Sequence, residues 1–543
     1  MEVVNLKFNI SLFFLSLFLL VFLLVGFVSA ANWYVDRDAP VGGNGQSWGT
    51  AWNNFSVINW SRVQPGDTIY ISGGVTEKVY NEGIRLGKSG VRITKGVDAG
   101  HNGRAVLRAP SVGNGTAIIN YDRSNITIDN LDFENWQTAI YLNGVMENIY
   151  IKNNRLLLAG GFVITGGGRD FTGPKRNIWI MYNNVTTLEY CYDQCEMSFY
   201  GTKNVYVIGN IIINRNNNPV THDDFAQGDG GNNIYFINNF FMFASNVNKE
   251  GNANGLSAIS NHGGDWFSIN NVFSKTDYQI NANINHFYRP NRAPNLYFRN
   301  DNVKVVIIGN DDVMWCGRHF VVDYDQNAII KNNILWNPGR YNSISGFCGL
   351  NRFISPDLAD NGTEHPNDFY VIENNLFINN FYPELNMVYL GGETPPPMHP
   401  SNIFIQNKNA TPGFVNWSSN TENVQNYRLD SNSIAINKGQ RIDFIPMHPD
   451  NPPEVLNYLG SGMNLATYYA KRDFNGNLRG VDGSWDIGAF EYVSGSTNFH
   501  PADLNNDGCI SLSEISAFVG RWLNGDIVLN DVSGAVSLWL GGC

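Results

Sequence analysis

The chain has 543 residues, with 36 Lys and Arg against 48 Asp and Glu and a formal net charge of -12. No basic stripe exists to neutralise phosphates, which excludes nucleic acid as a partner, and 43% hydrophobic residues exclude disorder. Only 15% of the chain is charged, whereas 55 residues are Gly and 78 are Asn; both are poor helix formers, so an ordinary helical enzyme is excluded too.

Residues 1–30 read as a signal segment. Lys7 precedes an apolar run from Ile10 to Val28, and Val28-Ser29-Ala30 places small residues before a cleavage point at Ala31. The run approaches bilayer-spanning length, so an uncleaved anchor is the competing reading. Both put Ala31 onward outside the cytoplasm, secreted or surface-held, and no later stretch is apolar enough to span a membrane. The six cysteines (Cys191, Cys195, Cys316, Cys348, Cys509, Cys543) suit an oxidising compartment and allow 15 pairings. Closeness in sequence favours Cys191–Cys195, with Cys316–Cys348 and Cys509–Cys543 as the remaining pairs; buried free thiols are the alternative. Eight Asn-x-Ser/Thr sequons follow the signal, many of them expected by chance in so Asn-rich a chain.

From Asn125 a pattern recurs: Asn, alternating apolar residues, then Asn or Asn-Asn. It runs through Asn125–Asn130, Asn148–Asn154, Asn177–Asn184, Asn204–Asn210, Asn233–Asn239 and Asp265–Asn271, with later copies at Asn327–Asn333, Asp368–Asn375 and Asn402–Asn407. The first four intervals are 23, 29, 27 and 29 residues. Such periods signal a solenoid of short strands, in which each unit buries its apolar face only against the next. Asn suits the bends, because it tolerates left-handed φ and its amide can bond the same amide one coil away. The asparagines are therefore structural.

The pattern resembles the right-handed parallel β-helix of the pectate-lyase-like superfamily over residues 31–492. The opening segment, Trp33-Tyr-Val-Asp36 with Gly43-Asn-Gly45 and Pro65-Gly-Asp-Thr-Ile-Tyr70, strengthens that resemblance. So does the closing one, Asp473-Phe-Asn-Gly476, Arg479-Gly480 and Asp486-Ile-Gly-Ala-Phe-Glu491. The fold hosts lyases, hydrolases and inert surface proteins alike.

Residues 493–502 form a linker, and 503–543 a separate module. Asp503, Asn505, Asp507, Cys509 (through its carbonyl), Ser511 and Glu514 match the ligand positions of a 12-residue EF-hand loop, with Gly508 at its sharp turn; the expected cofactor is Ca2+. Ile515, Phe518, Val519, Trp522 and Leu523 then fall at helical spacing. The segment resembles dockerin-type tails, which implies a cohesin-like or cell-surface partner. It lacks a second ligand set, so a calcium-stapled terminal module is the alternative.

If the asparagines fix the register, residues a constant distance upstream stack on adjacent coils. That places Asp193, His222 and Asn254 in one column; the next columns hold Cys195, Asp224 and Leu256, then Glu196, Phe225 and Ser257. Thr221-His-Asp-Asp-Phe-Ala-Gln227 is similar to a His-x-Asp-Gly-x-Gln element of β-helix polysaccharide-active proteins, with Phe225 in place of the Gly. Asp193, His222 and Asp224 are the expected catalytic residues, and Glu196, Gln227, His262 and Asp265 the expected substrate contacts. Clustered carboxylates either hold a calcium ion or serve as the acid and base of glycosidic cleavage. In a lyase, His222, Arg215 or Lys203 would be the base; in a hydrolase, Asp193 and Asp224 would share the work. Short Asp and His side chains also bond turn backbones, the structural reading of the same residues. The expected function is binding and cleavage of an acidic extracellular polysaccharide; the alternative is a non-catalytic envelope or adhesion scaffold.

Overall fold

The structure is a computed structural model. It describes residues 30–166, 175–188, 196–215, 224–228, 232–244, 254–258, 266–275, 296–298, 304–313, 318–322, 327–337, 352–355, 370–379, 399–407, 409–418, 422–445 and 465–492, with scattered positions between 502 and 539. Residues 1–29 of the signal segment and all six cysteines lie outside the described residues.

Every third strand of the chain joins the same sheet. Among the described residues this gives three parallel sheets of 12, 10 and 12 strands. One coil illustrates the path: Thr68–Ile71 lies in the first sheet, Glu77–Tyr80 in the second, Ile84–Arg85 in the third, and Arg92–Lys95 is back in the first. Such a path is a parallel β-helix. Alternate residues point inward, so Ile118, Ile140, Val163, Met197 and Ala226 stack in one fully buried column of the core.

Two amide ladders run along the coils. Asn125, Asn148, Asn177, Asn204 and Asn233 all have φ between 56° and 59°, and each later amide donates to the one before at 2.8–3.1 Å. The second ladder sits at the bend between first and second sheets. There Asn154, Asn183, Asn210, Asn239, Asn271, Asn310, Asn333, Asn375 and Asn402 bond in sequence at 2.9–3.2 Å.

Three details correct the sequence reading. At this bend the two jobs expected of one residue are divided. The first of each pair takes the left-handed φ (Asn238 52°, Asn270 53°, Asn332 57°), and the second makes the ladder. Gly309-Asn310 is a further rung outside the repeats read from the sequence, with Gly309 at the bend as Gly209 is before Asn210. Asn402 does not begin a unit: it caps the buried ladder, and Ile403–Gln406 is a second-sheet strand.

The last described solenoid strand ends at Gln406, and the described residues between 409 and 492 fold back as an arm with a 3-10 turn, Val424–Tyr427, and a short α-helix, Leu465–Ala470. Ile442, Ile445, Leu465 and Tyr468 cover the outer face of the first sheet over Tyr206, Tyr235, Phe267 and Val306. Phe414, Tyr427, Leu429 and Phe490 cover the second sheet over Phe240, Val272, Trp336 and Ile378. Neither cluster contains a third-sheet residue. In the tail, Ala502, Ile510, Ile515, Phe518, Val532 and Ala535 make a small hydrophobic cluster of their own, and Glu514 is buried where a helical turn, 514–516, begins. Among the described residues, no helix is long and apolar enough to cross a membrane.

Candidate functional site

Among the described residues, neither arm cluster reaches the third sheet. Its outward column runs Ile119, Tyr141, Ile164, Ser198, Gln227. Arg85 lies over the ring of Tyr121 at 5.0 Å, a cation–π contact, and Tyr121 meets Tyr141 edge-on at 6.2 Å between centroids. Burial, with Tyr121 nearby, raises the Tyr141 hydroxyl above its ordinary pKa. The Tyr141 ring reaches over Gly166, where a Cβ would lie 1.9 Å from its hydroxyl oxygen, so only Gly admits this pose.

Further along, the Tyr200 hydroxyl donates to Gln227 Oε1 at 2.9 Å, and the Tyr200 N–H donates to Thr165 Oγ1 at 2.7 Å. Ser198 Oγ accepts from the Thr165 N–H at 3.1 Å. Gln227 is only 4% exposed and Ser198 fully buried, so both act beneath the surface as supports for Tyr200. The Tyr200 carbonyl in turn accepts from Lys175 Nζ at 3.4 Å. Lys175 is 5% exposed, and burial lowers its pKa below the usual ammonium range. No carboxylate among the described residues forms an ion pair with it. Sequence reasoning missed Lys175, which carries no motif; its desolvation arises from coil stacking.

The register of the expected cluster holds over one interval and slips over the next. Ser198 pairs with Gln227, the 29-residue offset anticipated; Cys195 lies outside the described residues. Asp224 then pairs with Asn254, not with Leu256. The two extra residues of that coil fall after the third-sheet strand instead of before it, moving the column by two. Asp193, His222, His262 and Asp265 lie outside the described residues, and Asp224 is described only in its backbone.

Glu196 has no exposed surface. Its carboxylate accepts from Thr187 Oγ1 at 3.0 Å and Asn214 Nδ2 at 2.8 Å, and its carbonyl accepts from the Phe162 and Val163 N–H groups. It is thus a strut joining the second and third sheets. Arg215, considered as a base, is bound to Glu422 of the arm through both carboxylate oxygens. Among the described residues no three His, Cys, Asp or Glu side chains converge as a metal site.

No family model matches the chain, and no curated protein does. Among solved structures it is similar to a pectate lyase, Pel9A, at 16% identity and a TM-score of 0.39, covering 86% of this chain and 98% of that one. XylC in complex with xylose is similar at 10% identity and TM-score 0.35, over 71% of this chain and 88% of that one. A GH136 lacto-N-biosidase from Eubacterium ramulus follows at 12% identity and TM-score 0.27, over 51% and 68%. The β-helix assignment rests on the three sheets themselves.

Proposed function

We propose that the protein binds an extended acidic extracellular polysaccharide on the outer face of the third sheet and cleaves it there. One observation carries this reading. Among the described residues the arm covers the upper coils of the first sheet and the outer face of the second, while the third keeps a row of cation, rings and supported hydroxyl (Arg85, Tyr121, Tyr141, Tyr200), with the desolvated Lys175 amine on the Tyr200 carbonyl. Tyrosines join an apolar body to a polar tip, which suits the apolar faces and hydroxyl rims of sugar rings.

Lys175, whose amine burial holds below the usual ammonium range, takes the proton α to a uronate carboxylate. The C–H electron pair becomes the new C=C bond, the glycosidic C–O bond breaks with its electron pair on the leaving oxygen, and that oxygen takes a proton from solvent as it departs with the shortened chain. Arg85 supplies positive charge for the acidic substrate. A second reading, hydrolysis by Asp193 and Asp224, produces reducing ends without the new double bond.

The protein is exported through residues 1–30. Its tail takes Ca2+ through Asp503, Asn505, Asp507, Cys509, Ser511 and Glu514 and offers a docking surface to a cell-surface or cohesin-like partner. The separate hydrophobic cluster of the tail and the burial of Glu514 support that reading. Incubation of the full chain with polygalacturonate, alginate and a neutral glucan tests the main proposal. Ultraviolet-absorbing unsaturated ends from an acidic glycan are expected. Reducing ends without them favour the hydrolase, and no new ends from any glycan leave a scaffold.

A further inference from the structure

The outer face of the first sheet changes character along the solenoid. In its upper coils Tyr206, Tyr235 and Phe267 form a ring stack, with centroids 5.1 and 4.4 Å apart, and the arm buries all three. The stack continues downward past the arm to Trp179, 4.0 Å from Tyr206, and then to Tyr150 at 6.2 Å; both rings are partly exposed. Below them the same column reads Thr127, Arg92, Thr68, and the neighbouring column Met181, Lys152, Asp129, Thr94, Tyr70, Tyr34. Tyr70 stacks on Tyr34 at 5.9 Å, again partly exposed.

Six successive coils, spanning about 24 Å at the ordinary strand spacing, thus present aromatic rings at both ends and polar side chains between. Arg92, Thr127 and Lys152 replace the apolar residues on which the arm seats itself further up, so this stretch suits a polar occupant. Asp129 is buried and bound to Arg92 at 2.6 Å, and Lys152 leaves a surplus of one positive charge along the two columns. We propose that this stretch is a second saccharide-binding face, which holds an acidic glycan chain along the solenoid with sugar rings against Tyr70 and Trp179. It goes beyond the third-sheet reading and stands even if that face proves inert.

Affinity electrophoresis of the full chain through gels containing polygalacturonate tests it, with a neutral glucan gel as reference. Tyr70→Ala and Trp179→Ala are each expected to weaken retardation about fivefold, the scale of one lost ring contact, and Trp179→Phe to keep most of it. Release of products from short oligosaccharides by these variants should match the parent chain. Trp179 touches the edge of the arm's cluster and Tyr70 does not, so Tyr70→Ala decides. Unchanged retardation of Tyr70→Ala, or equal retardation of the parent chain in both gels, overturns the proposal.

Discussion

Arg479 and Asn270, 209 residues apart in the chain, are hydrogen-bonded through Nη2 and Oδ1 at 3.1 Å. The same Asn270 amide donates to the carbonyls of Tyr469 and Arg472, both at 2.8 Å. Asn332 clasps Gln440 in the same fashion. The asparagines whose left-handed φ turns each coil therefore also dock the arm, because their amides are not used by the buried ladder. Arg479 further pairs with Glu491, and both side chains are almost wholly buried. Arg479→Met should cost about 3–5 kcal/mol, since it leaves a buried carboxylate uncompensated. Urea unfolding followed by tryptophan fluorescence reads this directly; a change below about 1 kcal/mol would contradict it.

Glu491 gives the arm a pH dependence. Burial pushes its carboxyl from 4.5 up to about 7, against the opposing pull of Arg479. Between those values the unfolded chain has released a proton that the folded chain retains, so folded stability falls as pH rises through that window and levels off above it. Asp473 and Asp486, also raised by burial, act in the same direction. Thermal midpoints measured from pH 5 to 8 should decline toward neutrality in the parent chain and decline less in Glu491→Gln, which mimics the protonated acid. Equal slopes would refute the assignment.

The Asn238-Asn239 pair separates the two jobs of asparagine. Asn239 is fully buried and donates to Asn271 Oδ1 and the Val207 carbonyl while accepting from Asn210. Asn239→Ala strands several of these groups and should cost about 2–4 kcal/mol. Asn238→Gly keeps the 52° φ without strain and should change stability by less than about 1 kcal/mol. Similar losses in the two variants, by thermal or urea unfolding, would mean the division of roles is wrong.

Gly166→Ala probes the open face. The added Cβ meets the far end of the Tyr141 side chain, which can swing aside, so little stability should be lost. The ring leaves its place beside Tyr121, and polygalacturonate affinity should drop about threefold or more by calorimetry. Undiminished affinity would remove Tyr141 from the site.

The solenoid was legible because its constraint is local: a period of 23 to 29 residues and an Asn at each bend are properties of one coil. The arm was not, since Tyr469, Gln440 and Arg479 find their partners 108 to 209 residues away and share no period with them. The column through Asp224 was half legible, because an interval fixes how many residues a coil contains and not which corner holds the surplus. The bond between Tyr200 and Gln227 was not legible, as nothing in the Gln227 segment foretells the Tyr200 hydroxyl. Lys175 was invisible for a related reason: the coils stacked beside it set its pKa.

The rate of polygalacturonate cleavage as a function of pH, for the parent chain and for Lys175→Met, tests the proposed chemistry most directly. The rate should rise through an amine pKa below the ordinary lysine value, and Lys175→Met should lose that limb together with at least about a hundredfold in kcat. A Lys175→Met chain with the parental pH profile and rate would show that the proton goes elsewhere.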